Sequence, residues 1–105
     1  MKITSEFRTY EGVYLEIGRY LADGSLSIAA WNKKEGSIAS LTVCLVNPFL
    51  KENEAYVDIN NCPWVLDFIQ KYQLGEESGH TAKSGFCTYP AVEFDLEKIK
   101  LYQEE

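Results

Sequence analysis

Hydrophobic and polar positions alternate with a period of two through the first half of the chain. In VYLEIGRY (13–20), Val13, Leu15 and Ile17 oppose Tyr14, Glu16 and Tyr20, which predicts a half-buried strand. Ala22-Asp23-Gly24-Ser25 predicts a hairpin turn, because Asp-Gly accepts positive φ at little cost. SLSIAAWN (25–32) alternates again, with Leu26, Ile28 and Ala30 on one face. After the turn Lys33-Lys34-Glu35-Gly36, SIASLTVCLV (37–46) is nearly continuously apolar from Leu41 to Val46 and suits a strand buried on both faces. The prediction is a three-stranded antiparallel meander with a short strand before it near residues 2–8.

The period changes in the second half. Asn47-Pro48 ends the third strand, residues 50–55 form a polar connector, and AYVDI (55–59) is a further short strand. NNCPWVLDFIQKYQLG then predicts a helix over about 62–74. Asn61 is its N-cap, Pro63 lies in the first turn, and Gly75 is the C′ glycine. Val65, Phe68, Ile69 and Tyr72 fall at i, i+3, i+4 and i+7, one apolar stripe. EESGHTAKSG (76–85) has no periodicity and is expected to be an exposed loop. FCTYPAVEF (86–94) returns as a strand in which Pro90 marks an edge or a bulge, and Asp95 caps a short last helix carrying Leu96, Ile99 and Tyr102. The expected class is α+β: a twisted antiparallel sheet of about five or six strands, the main helix on one face and a short C-terminal helix.

At 105 residues, 46% of them hydrophobic, the chain is expected to form a single domain over 1–105 with one packed core. No apolar run approaches a membrane span, and Glu6, Arg8 and Glu11 interrupt the stretch a signal peptide would need. Cys44, Cys62 and Cys87 are an odd, irregularly spaced set, better read as reduced thiols than as a disulfide framework. The expected location is the cytoplasm.

Charge sharpens this reading. Residues 1–52 carry six acids and six bases, whereas 53–105 carry ten acids and four bases, so all of the net −6 lies in the second half. Phosphate contacts need clustered Lys and Arg, so direct nucleic-acid binding is not expected. A protein partner with a basic surface is the natural counterpart.

Reactive chemistry is sparse. His80 is the single histidine, and a Cys–His pair with Cys87 would need an orienting residue that the sequence does not identify. Cys62, His80, Cys87 and Cys44 lack the paired spacing of a structural zinc site. GHTAKSG (79–85) resembles a phosphate loop only in passing: Ala82 stands where the pattern needs glycine, and a strand follows where it needs a helix. No cofactor and no metal is expected. The carboxylate pairs Glu52/Glu54, Glu76/Glu77 and Glu93/Asp95 have no sugar-binding cleft to serve and read as solvated charge or as part of an acidic contact surface. The candidate partner-binding residues are therefore Asp58, Glu76, Glu77, Glu93 and Asp95, with Tyr14 and Tyr20 as aromatic anchors.

Residues 52–95 carry NEAYVD, NNCPW, a Phe-Ile pair whose Ile stands five residues before Leu-Gly, and SGFCTYP. This combination resembles a family of small uncharacterised proteins carried by phages and mobile elements of Gram-positive bacteria. The resemblance implies a mobile-element origin, and small acidic proteins of such elements include anti-CRISPR inhibitors. A type II Cas9 presents basic nucleic-acid channels and PAM-reading arginines, which an acidic protein could occupy as a DNA mimic. Two other classes stand beside this expectation. One is a structural or regulatory adaptor of the element, for which an edge strand offers a route to a homodimer. The other is a Cys–His or metal-dependent enzyme.

Overall fold

The computed structural model describes residues 1–103. The first sheet follows the sequence pattern. Strands β1 (Ile3–Thr4) and β2 (Thr9–Tyr10) form a small ribbon, and β3 (Tyr14–Arg19), β4 (Leu26–Asn32) and β5 (Gly36–Ser40) form an antiparallel meander. Pairing Leu15 with Ala30 and Ile17 with Ile28 places the alternating apolar set on one face, where Leu15, Ile28 and Ala30 are buried.

The predicted third strand is broken. It ends at Ser40, and β6 (Thr42–Val43) begins a second sheet of order β6-β7-β9-β8, with β7 (Glu54–Val57), β8 (Gly75–Ser84) and β9 (Cys87–Phe94). Leu41 sits at the crossing: its amide donates to Ile28 O in the first sheet, and its carbonyl accepts from Asp58 N beside the second. The continuous apolar run from Leu41 was thus a strand changing sheets, with Leu41 wholly buried. Instead of one sheet of five or six strands, the described residues form nine strands in three antiparallel sheets.

The helical elements are shorter than the pattern suggested. α1 spans Val65–Lys71 and α2 spans Leu96–Lys100, so neither is a long main helix. Asn61 does not cap α1; its backbone and side-chain nitrogens donate to the Asp58 carboxylate in the preceding turn, and Trp64 occupies the N-cap. At the other end, Leu74 N reaches Ile69 O and Gln73 N reaches Gln70 O, a Schellman arrangement with Gln73 at φ 54 in the left-handed position. Gly75 is the first residue of β8 instead of the helix cap, and the close strand approach requires glycine there: a Cβ would stand 2.4 Å from Glu93 O. The apolar stripe itself holds: Val65, Phe68 and Ile69 are buried, and edge-on contacts run from Trp64 through Phe68 and Tyr72 to Tyr102. One buried cluster takes Leu15 and Ile28 from the first sheet, Val57, Val92 and Phe94 from the second, and Val65 and Ile99 from the helices.

The largest departure is at 76–85, which is strand instead of loop. Its polarity reflects its place at the edge of the second sheet, where most of its side chains face water. Register is continuous except between Glu77 and Thr81, which pair with Val92 and Pro90, so Ser78, Gly79 and His80 bulge opposite Ala91. Gly79, at φ 94, provides the backbone turn.

Candidate functional site

Strand β9 lies between β7 and β8, and its register places Glu54, Glu93 and Glu76 in one row across the three strands. Directly opposed carboxylates repel, so each must be neutralised or exposed. Glu93 is paired with Lys51, Nζ to Oε1 at 2.7 Å, which raises the Lys51 pKa, while Glu76 is exposed. Glu54 is the inner member, and its side chain is fully buried.

Three donors converge on Glu54. Ser78 Oγ lies 2.5 Å and His80 Nδ1 2.7 Å from Oε2, and Lys51 N donates to Oε1 at 3.1 Å. Burial alone would raise the carboxyl pKa, but the bonds from Ser78, the Lys51 amide and His80 outweigh it and hold the group below its ordinary value. A carboxylate oxygen only accepts, so Nδ1 carries the imidazole proton. The site lies in the bulge, where Ser78 and His80, on either side of Gly79, both reach the same buried oxygen. Sequence reasoning missed Glu54 as an orienting group because 26 residues separate it from His80. The available signal was a single charge in the otherwise apolar strand of NEAYVD.

A second feature lies at the other end of β8. Glu76, Glu77, Glu93 and Asp95 are among the residues lining a cleft of about 810 Å³ that runs along the sheet edge, with Glu77 on the face of Val92 and Glu76 and Glu93 on the other. Its floor is apolar, made by Leu66 and Ile69 of α1 with Val92 and Phe94 of β9. Four of the five acidic candidates thus share one cleft. Asp95 also caps α2, accepting from Lys98 N at 3.1 Å. Asp58 does not line the cleft; it anchors the turn to Asn61.

The aromatic candidates lie elsewhere. Tyr20 bonds Thr42 Oγ1 at 2.9 Å and so helps join the two sheets, while Tyr14 is half-buried opposite Trp31 on the first sheet. The carboxylates of the second half do not form one continuous free surface: Glu54 and Glu93 are paired as above, Glu97 pairs with Lys100, and Glu104 and Glu105 lie outside the described residues.

The cysteines take no part in either feature. Cys62 is buried in the main cluster, where burial and then Asp58 push its thiol up to about 11. Cys87 packs beside Tyr56, Tyr89 and Ala91 in a second, smaller cluster. Among the described residues no three His, Cys, Asp or Glu side chains gather as a metal site, and no helix is long and apolar enough to cross a membrane.

What the fold defines at this point is a strand-rich α+β domain whose edge strand carries both an acidic cleft and a histidine–carboxylate pair. Residues 14–105 match the model of a domain of unknown function, DUF4313, and the chain belongs to that family. No curated protein and no solved structure matches it.

Proposed function

We propose that this protein works by contact, receiving the basic side chains of a partner protein in the cleft lined by Glu76, Glu77, Glu93 and Asp95. The observation that carries this reading is the run of acidic residues along the β8 edge of that cleft, where Glu77 shares the face of Val92 and α1 and Glu76 shares the opposite face with Glu93. Lys and Arg suit such a lining, because their stems cover apolar surface while their charged heads meet carboxylates. Glu76 and Glu77 are the exposed members of the set, since Glu93 already pairs with Lys51 and Asp95 caps α2.

The resemblance to proteins of phages and mobile elements directs the partner search to defence nucleases of the Cas9 type, and inhibition of such an enzyme is the proposed biological role. Its PAM-reading arginines and basic channels carry the complementary chemistry. The test combines Cas9 cleavage in vitro with pull-down of the nuclease, alone and with its guide. Inhibition that weakens with added salt and is lost in the double variant Glu76→Gln/Glu77→Gln is the expected result. Full cleavage at saturating protein, with no co-purification, would remove Cas9 as the partner. Inhibition unaffected by the double variant would remove the cleft as the contact.

A further inference from the structure

The contact reading leaves two costly features unused, and they meet at one imidazole. Glu54 is a buried carboxylate in a strand whose other residues are apolar, where an aliphatic side chain would be simpler to accommodate. Beside it the edge strand departs from its register through Ser78-Gly79-His80, with Gly79 at φ 94. A clip that merely satisfied the buried acid would need only a hydroxyl, which Ser78 already supplies at 2.5 Å. The bulge adds an imidazole held by Nδ1 at 2.7 Å, 56% exposed, and no hydrogen bond among the described residues reaches its Nε2. The ring is therefore fixed as the Nδ1–H tautomer, its Nε2 lone pair faces water, and a carboxylate stands behind it to stabilise the imidazolium.

We propose that His80 is a catalytic nucleophile toward activated acyl esters, with Glu54 and Ser78 as positioning residues. The site is independent of the cleft reading. The Nε2 lone pair attacks the ester carbonyl carbon, a C–N bond forms, and the C–O bond to the leaving group breaks. The leaving oxygen departs with its electron pair and takes a proton from water. Glu54 holds the positive charge of the acylated ring. Water then attacks the acyl carbon and gives its spare proton to the hydroxide left by the first step, the carboxylic acid is released with the C–N electrons returning to Nε2, and the net reaction is ester plus water to acid plus alcohol.

The probe is p-nitrophenyl acetate, and the single histidine makes the assignment direct. The wild-type second-order rate constant is expected to exceed that of N-acetylhistidine amide by about tenfold or more. It should fall to the level left by the cysteines and lysines in His80→Gln, and to that of free imidazole in Glu54→Gln. Glu11→Gln, at an exposed side chain before β3, should leave it unchanged as the control. Because Glu54→Gln could disturb folding, ¹⁵N NMR of wild-type His80 supplies a second readout, with the Nδ1–H tautomer expected. A wild-type rate no faster than free imidazole, a rate unchanged in His80→Gln, or an Nε2–H tautomer would each overturn the proposal.

Discussion

Substituting Gly75 by alanine tests the junction between α1 and β8 most sharply. An added Cβ would stand 2.4 Å from Glu93 O, 2.9 Å from Phe94 Cα and 2.9 Å from Val92 Cγ1. Two of those atoms are backbone in β9, the strand at the centre of the sheet's pairing, so relief requires β8 to separate from β9. Overpacking of this kind costs about 1–3 kcal/mol. With a urea dependence of about 1–3 kcal/mol per molar for a small domain, the midpoint should fall by on the order of 1 M. Equilibrium unfolding followed by circular dichroism measures it. The companion variant Gln73→Gly removes a left-handed glutamine at φ 54 and should stabilise the protein by a few tenths of a kcal/mol to about 1 kcal/mol. If Gly75→Ala leaves the midpoint unchanged while Gln73→Gly lowers it, the Schellman assignment and the close strand approach are both refuted.

Three further outcomes follow from the same geometry. Phe94→Ala empties a site 1% exposed at the meeting of sheet and helices and should cost about 3–5 kcal/mol, read as a fall in the thermal midpoint. Ser78→Ala removes the shortest donor to Glu54 and should cost about 1.5–3 kcal/mol at neutral pH by urea titration, as for other hydrogen bonds to charged groups. The depressed folded pKa of Glu54 means that its ionised form contributes stability above the unfolded value; this is lost as pH falls below the ordinary 4.5 and through the folded pKa. Acid titration of wild type and Glu54→Gln should therefore converge at low pH, and curves that remain parallel would exclude this linkage.

The meander and the apolar stripe of α1 were legible because each buries one face, and burial imposes a period of two or 3.6 on the residues. The sheet change at Leu41 was not, since a strand buried on both faces and a strand passing between sheets present the same continuous apolar run. The edge strand 75–84 was hidden for the opposite reason: its side chains meet water, so no periodicity was imposed. The acidic candidates were legible as composition, and their gathering along one sheet edge depended on β8 being a strand beside β9. The Glu54–His80 pair depended on a bulge, a non-local event whose only local trace is Gly79 between two polar residues. Asn61 and Gly75 looked like helix caps because the same residue types also serve turns and close backbone approaches.

Leu41 carries a consequence for how the molecule comes apart. Its amide and carbonyl engage opposite halves of the architecture, and Tyr20 adds a side-chain bond across the same seam through Thr42. Neither half can peel away without disrupting this one peptide segment and exposing the cluster beneath it. Native-state hydrogen exchange should find the amides of Leu41 and Asp58 opening only with the whole molecule. Polypeptides covering 1–41 and 42–105, made separately, should each remain unstructured and recover the fold only when mixed.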